Sequence, residues 1–183
     1  MTGEVRKGRE LLGMPVYSVQ EGMRLGEVAA LLLRRSDSVV SAVNISSGWT
    51  HGTWTLPFHK LRTVGIDIIL VDSEAILRET LSVDAIRELD TGLSGRPVIT
   101  QSGEQVGTIL GFLVNTNTGA IEAYRVKPES GMLAKLAATV LDRGLEIPVS
   151  LVQSVGPNAL IVSDAAARTE PAPASPAKPD PVA

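Results

Sequence analysis

The stretch GWTHGTWTLPFHKL, residues 48–61, holds Trp49, Trp54, His51 and His59, which are all the tryptophans and histidines of the chain. Three kinds of chemistry could use such a set. Metal binding needs three or four ligands for a transition ion. His51 and His59 stand eight residues apart, with no carboxylate between them and no cysteine in the chain. No metal ligand is assigned. Nucleophilic catalysis would draw on Ser47, His51 and Asp67, but the G-x-S-x-G turn that exposes a serine nucleophile is missing from the sequence. No catalytic residue is assigned either. The third use is contact, because tryptophan is enriched where proteins grip one another.

Whatever these residues do, the rest of the chain has to position them. Its 183 residues are 44% apolar, enough for one ordinary core or two small ones. The net charge of −3 spreads evenly, with 10 basic against 12 acidic residues over positions 1–90, so no basic face exists to release counterions from a phosphate backbone. Nucleic acid is not an expected partner. Arg34 and Arg35, opposite Asp37, read as solvated hairpin charge. Without cysteine there is no disulfide framework or thiol nucleophile, and the start MTGEVRKGRE lacks the apolar run of a signal peptide, so a cytoplasmic location is expected. The longest apolar run, VAALLL at 28–33, is far short of the ~20 residues that span a bilayer. Contact with a membrane would therefore go through a partner.

Comparing the halves reveals a repeat. LGMPVYSVQEGMRLGEV at 12–28 lies over LSGRPVITQSGEQVGTI at 93–109, matching Gly13 with Gly95, Pro15 with Pro97, Gly22 with Gly103 and Gly26 with Gly107. LPFHKLRTVGIDIILVD at 56–72 lies over IPVSLVQSVGPNALIVS at 147–163, matching Pro57 with Pro148 and Gly65 with Gly156. Each copy shows short Val, Ile, Leu and Thr runs separated by glycine turns, a pattern of hairpins. Six such strands in roughly 75 residues suit a small barrel better than a sandwich. Gly26 and Gly107 fall inside strands, where glycine marks the sharp bends that small barrels need. The fold class predicted is all-β with minor α: two tandem six-stranded barrels, a short helical connector and one inserted helix. The divisions are 1–8 as an N-terminal tail, 9–73 and 91–164 as barrels, 74–90 as connector, and 165–183 as a disordered Ala/Pro-rich tail. The inserted helix is ESGMLAKLAATVLDRG, 129–144, whose Met132, Leu133, Leu136, Val140 and Leu141 share one face. That face either covers its own barrel or docks a partner. The glycine loops at 92–97 and 103–107 lack the phosphate-loop pattern and precede strands, so they read as turns.

The motifs GMPVYS, RLGEV and LPFHKLRTVGIDIILVDS, followed by GRPVIT, GEQVGTI and LEIPVSLVQSVGPNALIVSD, resemble those of the PRC-barrel family. That family includes the cytoplasmic domain of the photosynthetic reaction centre H subunit and the C-terminal domain of the ribosome maturation factors. The resemblance covers about residues 9–73 and 91–164. It implies a small six-stranded barrel that binds or scaffolds rather than catalyses, with no cofactor. An H subunit would bring a transmembrane helix, and a ribosome factor a different N-terminal domain, where this chain has a second copy of the same barrel. The expected function is therefore a non-enzymatic adaptor or scaffold for a protein partner. The alternatives are a ribosome- or RNA-processing factor and a peripheral component of a photosynthetic or other membrane complex. A homo-oligomer is compatible with the sequence. The candidate protein-binding residues are Trp49, His51, Trp54, Met132 and Leu136. The second-copy counterpart of Thr53–Phe58, around Leu145–Val149, has neither Trp nor His, so the fold does not require them. For the indoles, an outward anchor and a plug in the barrel mouth both remain open.

Overall fold

In the first copy, burial nearly alternates along β4 (Val39–Ser46), where Val40, Ala42, Val43 and Ile45 are buried and Val39, Ser41, Asn44 and Ser46 are partly open. A strand with one face against a core reads this way. The computed structural model describes residues 4–34, 36, 38–47, 52–78, 89–90, 92–129 and 144–168. Around β4 the first copy assembles β2 (Pro15–Ser18), β3 (Arg24–Arg34), β5 (Thr53–Pro57), β6 (Thr63–Val64) and β7 (Ile69–Val71), in the order β5-β4-β3-β2-β7-β6. The second copy repeats that order as β12-β11-β10-β9-β14-β13. Its strands are β9 (Pro97–Thr100), β10 (Gln105–Asn115), β11 (Ile121–Pro128), β12 (Leu145–Pro148), β13 (Val152–Val155) and β14 (Leu160–Val162). In each copy the first and last long-range partners run parallel, Val16 beside Ile69 and Val98 beside Leu160. Six strands per copy, paired alike, is the duplicated all-β arrangement expected from the repeat.

The glycine corners hold the bends. A Cβ at Gly26 would run into the Ser46 carbonyl oxygen, and one at Gly107 into the Lys127 carbonyl oxygen. Register shifts sit beside both, between Val16 and Tyr17 on β2 and between Gln105 and Gly107 on β10. Strand and partner therefore approach more closely there than any side chain permits.

Two strands cross between the copies. β1 (Val5–Lys7), which precedes the first copy, pairs with β10 of the second, setting Val5 opposite Asn115 and Lys7 opposite Leu113. β8 (Leu89–Asp90), which precedes the second copy, pairs with β3 of the first. Each barrel thus receives a seventh strand from the other copy's lead-in. Residues 5–7 fall within the range read from sequence as a tail, and three residues carry no periodicity that could have announced a strand. At the other end Asp164–Arg168 forms a helical turn with Ala166 fully buried, so order extends past the position where the Ala/Pro-rich tail was expected to begin. Of the connector, Glu74–Arg78 is a helical turn. Its middle, the inserted helix apart from Glu129 and Gly144, and residues 169–183 lie outside the described residues.

The barrels are joined by more than the exchange. Val39 and Ala120 form a β-bridge, Val40 N–H donates to the Gly119 carbonyl at 2.8 Å, and Ile121 N–H donates to the Ser38 carbonyl at 2.9 Å. The Tyr124 hydroxyl, on the second copy, donates to Ser38 Oγ of the first at 3.0 Å. Buried residues of both copies, from Val16, Val43 and Ile69 to Val98, Tyr124 and Leu160, make one continuous apolar cluster. The six-strand order is therefore separate in each copy, while the seventh strands, the Val39–Ala120 bridge and the core run across both barrels. The physical reason is size: a barrel of roughly 75 residues buries too little apolar surface to stand alone comfortably.

Candidate interaction surface

The long strands of both copies carry a second irregularity, one residue wide. Pairing of β3 with β4 skips Ala29, between Val28 and Ala30, and pairing of β10 with β11 skips Leu110, between Ile109 and Gly111. Ala29 and Leu110 are the same position of the repeat. A bulge leaves its extra residue unpaired and re-aims the side chain. Here the two bulges face a crevice at the junction of the barrels, lined by Leu12, Ala29, Ala30, Leu31 and Leu33 on one side and Leu93, Leu110, Gly111 and Phe112 on the other. Its volume is about 170 Å³. Leu12 and Leu110 are close to half exposed at its mouth, and Arg9, exposed on α1 (Gly8–Leu11), lines its rim.

Apolar exposure is unevenly divided. Val5, Leu12, Val19, Met23, Ile66 and Ile68 are exposed in the first 70 residues, against Leu110 alone among the large apolar side chains described later in the chain. The repeat gives counterparts for four of them: Ser94 for Leu12, Glu104 for Met23, Pro157 for Ile66 and Ala159 for Ile68. Ile66, at the tip of the β6–β7 hairpin, is 73% exposed. The Arg6 guanidinium donates to the Gly65 carbonyl at 2.6 Å, which sets this tip beside β1. The sequence expectation singled out no residue of this tip as a contact. Within the aligned repeat, the signal is the contrast of GIDI with GPNA, two isoleucines against proline and alanine.

A more polar hollow of about 310 Å³ lies on the first copy between the turn Phe58–Lys60 and the turn Glu74–Arg78, with His59, Lys60, Arg62 and Asp72 on its wall. Arg62 Nη1 donates to Asp72 Oδ1 at 3.0 Å. His59 is exposed there. Among the described residues no group of three His, Cys, Asp or Glu side chains could hold a metal ion.

One clasp appears in both copies with its charge moved. In the first, the Glu21 carboxylate on the β2–β3 turn accepts the Ser73 hydroxyl at 2.7 Å and Glu74 N–H at 3.1 Å. In the second, the acid sits on the opposite side: the Asp164 carboxylate accepts Ser102 N–H, from the β9–β10 turn, at 3.0 Å. Hydrogen bonds, chiefly from Ser73 for Glu21 and from Ser102 for Asp164, hold both carboxyls below their ordinary range. Each carboxylate ties a hairpin turn to a helical turn of its own copy.

Of the residues singled out from sequence, Trp54 lies on β5, half-buried, opposite Ile45 and packed against the core cluster. Thr55 beside it donates to Asn44 Oδ1 at 2.8 Å. Trp49, His51, Met132 and Leu136 lie outside the described residues. Among the described residues no helix is long and apolar enough to cross a membrane.

No curated protein matches the chain. The profile of the PRC-barrel domain, generally a non-catalytic protein-interaction module, matches residues 3–77 and again residues 87–168. With two matches covering most of its length, and two sheets of the same strand order to accompany them, the chain belongs to the PRC-barrel domain family.

Proposed function

We propose that this protein is a non-enzymatic adaptor that binds a protein partner through surface presented by its joined barrels. One observation carries the reading: large apolar side chains are exposed on the first copy at positions where the second, folded alike, has Ser94, Glu104, Pro157 and Ala159. Folding does not require them, and exposed apolar groups that folding does not require mark contact sites. The copy-specific Trp49, His51 and Trp54, and the apolar face with Met132 and Leu136, belong to the same proposal as partner-contacting residues. A cytoplasmic setting accords with the cysteine-free composition.

The test is affinity purification with mass spectrometry, followed by binary binding of the partner recovered. Wild type is compared with a triple variant, Met23→Glu, Ile66→Pro and Ile68→Ala, which installs the second copy's residues in the first. Because that copy already accommodates them, the thermal midpoint is expected to hold while affinity falls by roughly tenfold or more. Unchanged partner recovery and affinity for this variant, and for Trp54→Ala, would refute the adaptor reading.

A further inference from the structure

We infer that the junction crevice is a binding site for a short peptide segment of a protein partner, taking one large apolar side chain between the barrels with an acidic side chain beside it. The inference rests on the adaptor reading and names the chemistry of its ligand. A cavity of about 150 Å³ lined by Leu, Ile and Phe holds benzene, so 170 Å³ walled by Leu31, Leu93 and Phe112 accommodates a phenylalanine or leucine side chain.

The site is built rather than incidental. The equivalent bulges turn Leu110 of one copy and Ala29 of the other toward the same crevice, and the exchange of large for small leaves the space between them. A Cβ placed at Gly111 or at Gly92 meets no atom within 4 Å, so the crevice continues over bare backbone on the second-copy side. Neither barrel alone contains it.

Charge identifies the flank. On α1, Glu10 is held by Arg6 at 3.6 Å and Lys7 at 3.9 Å, while Arg9 has no ion-pair partner among the described residues and lines the rim. An acidic residue next to the apolar anchor would complete it. A single exposed guanidinium in a chain of net charge −3 suits one carboxylate and not a phosphate backbone.

The experiment titrates isotope-labelled full-length protein with three capped heptapeptides while amide resonances are followed. They are Glu-Gly-Glu-Phe-Glu-Gly-Glu, the same peptide with alanine at its centre, and the same peptide with lysine for each glutamate. The first is expected to move the resonances of Gly92, Ser94, Gly111 and Phe112. The alanine peptide should bind about tenfold more weakly, for loss of the anchor. The lysine peptide should bind about threefold more weakly, for loss of one exposed ion pair. Gly111→Leu fills the crevice from a position with room for the side chain, so it should abolish these shifts without lowering the thermal midpoint. Arg9→Glu should reverse the order of the glutamate and lysine peptides.

Shifts elsewhere, shifts that persist in Gly111→Leu, or an order unaffected by Arg9→Glu would overturn the inference. So would binding of toluene without any of the peptides, or a concentration-dependent dimer lost in Gly111→Leu, which would give the crevice to a second copy of the chain. If Gly111→Leu keeps the partner that the Met23, Ile66 and Ile68 variant loses, the crevice falls and the adaptor stands. If neither variant changes partner recovery, both fall.

Discussion

The two copies are alike where they are closed and different where they are open. Val16 and Val98, Leu56 and Ile147, Ile69 and Leu160, Val71 and Val162 occupy the same positions, and all are buried. At the β6–β7 tip and at the mouth of the crevice the copies diverge, Ile66 against Pro157 and Leu110 against Ala29. A duplicated chain thus supplies its own control: one copy reports which side chains the barrel needs, and what the other adds is available for work. The interior has one telling exception. Tyr124 occupies the place of Val43, fully buried like it, and spends its extra reach on Ser38 of the other barrel. Asymmetry in the core thus serves the joint between the copies.

The largest test of this comparison concerns the shared corners. Gly26→Ala and Gly107→Ala each drive a methyl group into a carbonyl of the neighbouring strand, and each is expected to cost about 2 kcal/mol or more in urea denaturation. Since one apolar cluster runs through both barrels, both variants should shift a single cooperative transition. Two separated transitions would break the idea of a common core. Next is Tyr124→Phe, which removes the hydroxyl shared with Ser38 and should cost about 1 kcal/mol. Burial raises the Tyr124 pKa above its ordinary value, so its contribution is present at neutral pH and lost as pH climbs past the unfolded-state value toward the higher folded one. Stability of Tyr124→Phe should accordingly fall less at alkaline pH than that of wild type.

The smallest effect belongs to the two clasps. Glu21 and Asp164 have depressed folded-state pKa values, so each contributes stability above the unfolded carboxylate range and loses it as pH drops through the folded value. Glu21→Gln and Asp164→Asn should each flatten the acid limb of a plot of thermal midpoint against pH, by similar amounts because both carboxylates are exposed. A flattening confined to one of them would show that the charge exchange between hairpin and helical turn is not a true equivalence.

Much of the barrel was legible because glycine and proline leave position-specific marks. Gly26 and Gly107 announced bends, and the bends are there, against carbonyls that no side chain could approach. Gly22 and Gly103, with φ of 64° and 88°, mark the same turn twice. The joining of the barrels was not legible, since Val5–Lys7 becomes a strand only when Val114 of the other copy lies beside it. Nor could the crevice be read from sequence, because four separated segments from both copies build it and its key residue, Leu110, is turned by a bulge that leaves no mark in composition. Trp54 shows the opposite risk. A conspicuous residue in sequence packs half-buried on β5, while inconspicuous Ile66 stands in solvent.

The crossing of β1 and β8 also orders events during synthesis. The first barrel emerges from the ribosome before β8, the strand that completes it, and the second must recruit residues 5–7, made before the first barrel. Closure of the whole thus waits for Val5–Lys7 to meet Leu113–Asn115. A bulky extension fused to the amino terminus is therefore an intervention on the far barrel, not on the near one.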